Sequence, residues 1–292
     1  MKNFKKLALM GLTAVMSLSL LAACGGGNSG SAETPANNTE TPSVENTETP
    51  AASGEFTTVE AGKLIMSTNA QFPPYEMVGD GEGYEGTGYE GIDVEIAYAI
   101  AEKLGLELVV DNMGFDAALQ AVQTGKSDIV MAGVTVTDDR LEVMDFSDTY
   151  ANGIQVVIVP ENSDIANIDD LEGKLIGCQM GTTGYIYCSD TPENGGYGED
   201  AVIPYDDGAA AIQALMNGQV DCVVIDNAPA QEYVKANPGL KILDTEFANE
   251  NYAIGFAKGN TALKDAVNAA LIELVEDGTV QSIIDKYIPA EG

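Results

Sequence analysis

A helix, a glycine, an aspartate and an apolar strand follow one another twice in this chain. The copies are residues 117–121 with Gly125, Asp128 and 129–131, and residues 210–214 with Gly218, Asp221 and 222–225. Aligning the two glycines places Gly133 opposite Asp226, each at the carboxyl end of its strand. Ligands of parallel α/β sheets bind at such ends. The pattern predicts two related α/β lobes facing each other across a cleft, although common helix formers could produce so short a match by coincidence.

The first 23 residues have the composition of a targeting signal. Lys2, Lys5 and Lys6 precede an apolar run over residues 7–21, and two alanines then lead to Cys24. This order predicts a secretory signal peptide over residues 1–23. The cysteine at its end resembles the lipobox of bacterial lipoproteins, which implies that Cys24 carries lipid (palmitate among its chains) and becomes the mature N-terminus. An ordinary signal peptide cut near a cysteine is the alternative.

Residues 24–56 are composed almost entirely of small and polar residues, with Glu-Thr-Pro repeated. Such a segment cannot bury enough apolar surface to fold, so we expect a disordered linker behind the lipidated cysteine. The remainder is long enough for two lobes. We expect lobe 1 over 57–150, lobe 2 over 154–246 and a return to lobe 1 over 252–292. The crossings between lobes are expected near 150–153 and 247–250, where they could act as a hinge.

Charge and composition exclude several classes of function. The chain has 13 lysine and arginine residues against 46 acids, and three of the lysines belong to the predicted signal. This excess of acid argues against nucleic acid and anionic lipid headgroups as partners. The absence of histidine excludes histidine-based catalysis and histidine metal sites, and neither a metal nor a cofactor is expected.

The cysteines beyond Cys24 are irregularly spaced. Cys178 and Cys222 lie in apolar, strand-like runs, and Cys188 is left over. An odd number without regular spacing argues against a disulfide framework or a zinc site. Buried inert thiols are therefore expected, while a bridge between Cys178 and Cys222 stays open.

Arg140 is the only arginine among the 292 residues. A chain that otherwise uses lysine and keeps one arginine is expected to need a planar fork that binds carboxylate through two hydrogen bonds. Thr137 is a suitable N-cap, which would place Arg140 in the first turn of a helix just after a strand. A structural ion pair with Asp138, Asp139 or Asp145 is the alternative.

Lobe 2 offers a second set of polar residues. Residues 179–184, Gln-Met-Gly-Thr-Thr-Gly, follow a strand and precede a helix, so amides and hydroxyls can converge there on an anion; a tight turn with a helix cap explains the motif equally well. Asp226 ends its strand and could pair with an ammonium group or merely cap the next helix. Together, one arginine, several hydroxyls and one aspartate suit a zwitterion.

Three stretches then resemble a known family. Residues 91–104 resemble the signature of the polar-amino-acid family of bacterial extracellular solute-binding proteins, residues 69–76 resemble its first cleft loop, and residues 132–140 with 145–147 resemble its most diagnostic run. The similarity spans residues 62–288. It implies a two-lobed periplasmic-binding-protein-like fold of type II, an α/β fold with two chain crossings and the ligand in the interlobe cleft.

The resemblance also implies a function and roles for individual residues. The chain would bind a free polar amino acid outside the cytoplasm and deliver it to an ABC-type permease, as a lipid-anchored monomer. Gly133, Thr135 and Arg140 would hold the α-groups from lobe 1, with Thr182 or Thr183 adding to the carboxylate and Asp226 pairing with the ammonium. The aromatic walls would be Phe72 and Phe115, for which core packing is the alternative. Selectivity would fall to Asn69 and Gln179.

The neutral pair Asn69 and Gln179 favours an uncharged polar side chain, such as that of glutamine, or broad selectivity. Two other functions stay open at this point. A sensor acting on a membrane receptor uses the same fold, as do a few dehydratases. An enzyme is the weaker alternative, because no nucleophile and base stand together in the sequence.

Overall fold

The structure is a computed structural model that describes residues 56–288. The predicted signal peptide, Cys24 and nearly all of the predicted linker lie outside the described residues. Within the described part, no helix has the length and apolar character that a membrane crossing requires.

Twelve strands and eight α-helices form this part of the chain. The strands are β1 Lys63–Thr68, β2 Gln71–Phe72, β3 Glu76–Val78, β4 Tyr89–Glu90, β5 Glu107–Asn112, β6 Ile129–Val130, β7 Met144–Pro160, β8 Ile176–Gln179, β9 Val202–Tyr205, β10 Cys222–Asp226, β11 Leu240–Ile242 and β12 Ala248–Ala257. The helices are α1 Ile92–Leu104, α2 Phe115–Gln123, α3 Asp138–Val143, α4 Thr183–Ser189, α5 Gly208–Met216, α6 Asn227–Ala236, α7 Thr261–Glu276 and α8 Thr279–Tyr287.

The main sheet consists of two parallel groups joined by two antiparallel strands. Its order is β5-β1-β6-β12-β7-β10-β8-β9, with β11 added beside β7. β1 runs parallel to β5 and β6, and β8 runs parallel to β9 and β10. The long strands β7 and β12 pair antiparallel and connect the two groups. The predicted type II α/β fold with two lobes and two crossings is thus confirmed, whereas the exact lobe boundaries stay a prediction.

The repeated unit of the sequence forms the same structure in both lobes. Its first copy is α2 followed by β6, and its second is α5 followed by β10. Gly125 and Gly218 follow their helices with φ of 68° and 66°, a left-handed conformation that glycine adopts without steric cost. The predicted helices, stops and strands are therefore confirmed, and both strands end at the same cleft.

Helices cover both faces of each parallel group. In lobe 1, α1 and α7 pack on one face around side chains such as Met66, Ile96 and Leu271, while α2 packs on the other. In lobe 2, α4 lies on one face, and α5 and α6 lie on the other. Burial of these apolar faces is the main stabilising contribution to the fold.

The three cysteines of lobe 2 lie inside this core. Cys178, Cys188 and Cys222 are fully buried free thiols. Burial raises the pKa of the Cys222 thiol, because the thiolate would be charged in an apolar surrounding. The expectation of buried thiols is confirmed.

Candidate functional site

A small cavity lies where β1, β6, β8 and β10 end. All ten residues proposed from the sequence border this one space. The lining consists of Asn69, Phe72, Phe115, Gly133, Thr135, Arg140, Gln179, Thr182, Thr183 and Asp226, together with Ala132 and Glu76. Their assembly follows from the topology, since the carboxyl ends of parallel strands meet at one edge of a sheet. That these residues bind a ligand stays a prediction.

Arg140 reaches the cavity from the first turn of α3. Thr137 is the N-cap of this helix, and its hydroxyl accepts a hydrogen bond from the Arg140 amide at 3.2 Å. The guanidinium is buried, stacks over the Phe115 ring at 5.5 Å, and donates to the carbonyls of Thr135 at 2.8 Å and Gly181 at 3.2 Å. Burial lowers its pKa, but a guanidinium stays charged at any physiological pH.

The alternative of an ion pair between Arg140 and Asp138, Asp139 or Asp145 is wrong. Between residues 56 and 288, no carboxylate lies within ion-pair distance of its guanidinium, and Asp145 instead pairs with Lys258 at 2.9 Å. Asp138 and Asp139 occupy the exposed first turn of α3. The only arginine of the chain is thus held by carbonyls beside a cavity, where part of its donor capacity can serve a bound anion.

Asp226 ends β10 and turns its carboxylate toward the two crossing strands. The Gln155 amide donates to Oδ2 at 2.5 Å, and the Tyr252 hydroxyl donates to Oδ1. Asp226 occupies the N-cap position of α6, as the alternative expected, but its side chain makes no cap hydrogen bond. Burial raises the pKa of Asp226 to about 7, with a smaller contribution from the nearby Glu250. Such a carboxylate is stabilised by an entering cation.

Thr182 and Thr183 border the cavity from lobe 2. Thr182 caps α4, because its hydroxyl accepts from the Tyr185 amide at 3.3 Å and donates to the Gln179 carbonyl at 2.8 Å. The helix-cap explanation for this motif is therefore correct as far as Thr182 is concerned. Thr183 is the first residue of α4 and is 3% exposed, so its backbone amide lies at the unpaired start of a helix.

Gly133 lies where a larger residue would not fit. Its φ of +55° is left-handed, and an added Cβ would lie 3.0 Å from the Phe72 ring. Its amide donates to Asp93 Oδ2 at 2.9 Å, which ties the loop after β6 to the start of α1. The glycine thereby lets an aromatic wall and a polar loop approach each other closely.

Aromatic and amide groups form another part of the cavity lining. Phe72 and Phe115 border it, and both also pack on the hydrophobic cores. Core packing therefore holds for both, and their contact with a ligand stays a prediction. Gln179 donates to the Asn69 side chain at 2.9 Å and to the Asp206 carbonyl at 3.2 Å. The Asn69 amide donates to the Met113 carbonyl at 3.0 Å.

Hydrogen bonds cross the cleft at three places. Gln179 contacts Asn69, Arg140 contacts Gly181, and the Tyr233 hydroxyl donates to the Gln71 carbonyl at 3.1 Å. Each joins a residue of predicted lobe 1 to one of predicted lobe 2. The lobes therefore contact each other around the cavity, and residues of both can touch one small molecule.

Sequence reasoning missed the most unusual residue of the lining, Glu76. This glutamate is fully buried, and neither of its carboxylate oxygens has a partner of good hydrogen-bond geometry among the described residues. It follows Pro73, Pro74 and Tyr75, and an acid among such residues in a cavity loop was the available signal. Gln155 and Glu250, which lie behind Thr135 and Asp226, were also missed.

Comparison with known proteins agrees with this architecture. Residues 64–290 match the model of the bacterial extracellular solute-binding proteins, family 3. The chain is 34% identical to a probable histidine-binding protein of Neisseria gonorrhoeae over 79% of its own length and 85% of that protein. It is 31% identical to an arginine-binding extracellular protein of Bacillus subtilis (strain 168), over 78% of its own length and 87% of that protein.

Solved structures of high similarity include an ancestral arginine-binding protein. Its arginine-bound form is 39% identical with a TM-score of 0.69, covering 78% of this chain and 98% of that one. Its glutamine-bound form is 38% identical with a TM-score of 0.69, covering 78% and 99%. With the family model matching most of its length, the chain belongs to the bacterial extracellular solute-binding proteins, family 3.

Proposed function

We propose that this protein binds a free amino acid with a cationic side chain, arginine above all, and presents it to an ABC-type permease. The observation that carries the proposal is Glu76, a fully buried carboxylate without a well-formed hydrogen bond, in a cavity that also holds Arg140 and Asp226. Burying an unpaired carboxylate is costly, and a cationic ligand group would offset that cost.

The α-groups would bind where the charges of the cavity are complementary to a zwitterion. Arg140 would hold the α-carboxylate, with the Thr135, Thr182 and Thr183 loops supplying amides and hydroxyls. Asp226 would accept the α-ammonium, which would return its raised pKa toward the ordinary range. Gly133 would provide the close approach that its lack of a side chain permits.

The side chain would then extend between the aromatic walls. Phe72 and Phe115 offer ring faces, on which a guanidinium stacks favourably. Glu76 would supply the negative charge, while Asn69 and Gln179 would supply amide hydrogen bonds. Relatives described as arginine-binding and histidine-binding support this choice.

Glutamine is the second candidate ligand. The Asn69–Gln179 amide pair is neutral and suits a carboxamide. The glutamine-bound form of the ancestral arginine-binding protein supports it as well. The preference for an uncharged polar side chain, expected from the sequence, is kept as this alternative. The buried Glu76 is the reason for proposing a cationic ligand first.

Thermal unfolding of the purified chain against all twenty amino acids, each at millimolar concentration, would test the ligand class. A ligand that binds only the folded state at a hundred times its Kd adds about 2.7 kcal/mol. We expect arginine to raise the midpoint most, followed by lysine. A larger shift with glutamine would favour the second candidate, and no shift with any amino acid would contradict the proposal.

Replacing Glu76 by glutamine should reduce the preference for arginine. The variant keeps the shape of the side chain but removes the charge, and we expect arginine to bind roughly 10- to 100-fold more weakly, equivalent to about 1.4–2.8 kcal/mol. Glutamine should bind about as before. Titration calorimetry with both ligands measures the change. The exposed Glu102→Gln is the matched control, and equal arginine affinity in both variants would contradict the role of Glu76.

Delivery requires a ligand-bound form that a permease can distinguish. We propose that contacts from both lobes to one ligand stabilise a closed arrangement, through bending at the paired strands β7 and β12. Family membership favours this transport role over the sensor and dehydratase alternatives. Scattering curves recorded with and without arginine should differ, and superposable curves would contradict hinge closure.

The position outside the cytoplasm follows the family, and we propose a lipid anchor on Cys24. The order of lysines, an apolar run and two alanines before Cys24 supports this proposal. In a bacterial host, the Cys24→Ser variant should lose incorporation of labelled palmitate and leave the membrane fraction. Retention of the label after this change would place the lipid elsewhere.

A further inference from the structure

The walls of the cavity and the layer behind them contain more buried acid than base. Glu76 and Asp93 are 0% exposed, Glu250 is 4% exposed and Asp226 is 6% exposed, against a single buried cation, Arg140, in this part of the described structure. An ionised carboxylate without a counterion is strongly disfavoured away from water. This group of acids is therefore expected to hold protons until another positive charge arrives.

Two of these acids form a pair on the lobe 1 side. Glu76 lies on β3 and Asp93 lies in the first turn of α1. Asp93 is held by the Gly133 amide through Oδ2, but its Oδ1 and both oxygens of Glu76 lack a well-aligned hydrogen bond. The backbone nevertheless places them side by side, because the Asp93 amide donates to the carbonyl of Tyr75, the residue before Glu76, at 2.9 Å, and each carboxyl group influences the pKa of the other. Asp93 has the Gly133 amide and the nearby Tyr150 hydroxyl as donors, and one proton shared between the two carboxyl groups would supply a donor to Glu76 as well.

The groups around the Glu76–Asp93 pair offer it no positive charge, so a proton is the available counterion. Those facing it are Tyr75 beside Glu76, Tyr150 from β7 and Asp226 from β10. None of these is a cation. Tyr252 from β12 packs against Tyr75, and Arg140 from α3 borders the same cavity but donates to the Thr135 and Gly181 carbonyls.

We propose that the unliganded protein holds a proton on the Glu76–Asp93 pair and releases it to solvent when a cationic ligand side chain enters the cavity. The inference rests on the proposed function. The exchange is balanced, because one O–H bond of a carboxylic acid is broken, the proton passes to the buffer, and the guanidinium takes its place as counterion. Arginine capture is thus a cation-for-proton exchange.

The direction of the pH dependence follows from this exchange. Burial, and then the charge of Asp93, holds the pKa of Glu76 well above its usual range, and burial raises the pKa of Asp93 to about 6. A bound cation lowers the pKa of the pair, so the free protein binds more protons than the complex. The affinity for arginine must then rise with pH, at up to about tenfold per pH unit for one proton, and level off once the free pair is ionised.

Calorimetry with arginine and citrulline would test the exchange. Citrulline has the length of arginine but an uncharged urea group, so it makes the same α-contacts without a cationic side chain. Titrating the full chain at pH 6.5 in buffers of different ionisation enthalpy counts the protons released. Any proton that Asp226 releases to solvent when the α-ammonium binds is common to both ligands. The difference in proton release between arginine and citrulline therefore reports on the ligand side chain alone.

We expect arginine to release about one proton more than citrulline, and Glu76→Gln to abolish the difference while Glu102→Gln preserves it. Equal release by the two ligands, or a difference that survives in Glu76→Gln, would overturn the proposal. The wild-type comparison decides the matter even if Glu76→Gln fails to fold. If arginine, lysine and histidine all fail to bind between pH 5.5 and 8.5, the proposed function fails instead. Binding of glutamine would then show that the preference for a cationic side chain, and not amino-acid binding itself, was wrong.

Discussion

Replacing Arg140 by lysine is expected to weaken amino-acid binding by about 2–4 kcal/mol. The guanidinium already donates to two carbonyls, on Thr135 and Gly181, and stacks on Phe115. Its planar fork leaves further donors for a carboxylate, whereas an ammonium group has three donors in all and no plane to stack. A loss of this size corresponds to roughly 30- to 1,000-fold in Kd.

The same change should affect folding much less. Lysine keeps the charge and can still donate to one of the carbonyls, so we expect the free energy of unfolding without ligand to fall by no more than about 1 kcal/mol. Chemical denaturation and titration calorimetry on one preparation separate the two effects, with the surface change Lys103→Arg as control. Unchanged affinity in Arg140→Lys would mean that this side chain is a purely structural link between lobes.

Gly153→Ala is expected to destabilise the protein by about 2–3 kcal/mol and to weaken binding as well. An added Cβ would overlap the ring of Tyr252 and would lie 2.6 Å from Oδ1 of Asp226. Tyr252 is 0% exposed, and its ring is part of the packed strand crossing rather than the flexible end of a side chain. Either the tyrosine or the β7 backbone must move, and both hold the carboxylate that we assign to the ligand ammonium.

Gly114→Ala is the matched control for this change. Gly114 has nothing within 4 Å of its would-be Cβ, and its φ of −62° suits alanine. Its cost should stay below about 1 kcal/mol, as for an N-cap change. Unfolding free energies of the two variants that agree within about 0.5 kcal/mol would mean that the crossing accommodates the methyl group.

Local patterns in the sequence were sufficient to predict much of this structure. Gly125 and Gly218 mark the ends of α2 and α5, Thr137 caps α3, and Asp226 ends β10. Each of these features depends on a few neighbouring residues, through cap chemistry or hydrophobic periodicity. The ten proposed residues border one cavity because strand ends of the two lobes converge there.

The missed residues depend on contacts between distant segments. Glu250 meets Thr135 and Gln155 only because β12 and β7 pair in one particular register, with Glu250 opposite Gly153. Nothing near Glu250 in the sequence specifies that register. The burial of Glu76 depends on the packing of α1, which carries Asp93, against β3. Burial of a charge is a property of tertiary packing, which sequence periodicity does not encode.

The pairing of β7 with β12 has a mechanical consequence. The two crossings form one hydrogen-bonded ribbon, so stretching or sliding one strand past the other would break several ladder bonds at once, whereas a two-stranded ribbon twists with little loss of pairing. The pairing shifts register between Tyr252 and Ala253 and again before Gly255. We therefore expect the ribbon to twist most easily at this irregular segment, so that one lobe rotates relative to the other about it. The segment includes Tyr252, whose hydroxyl donates to Asp226.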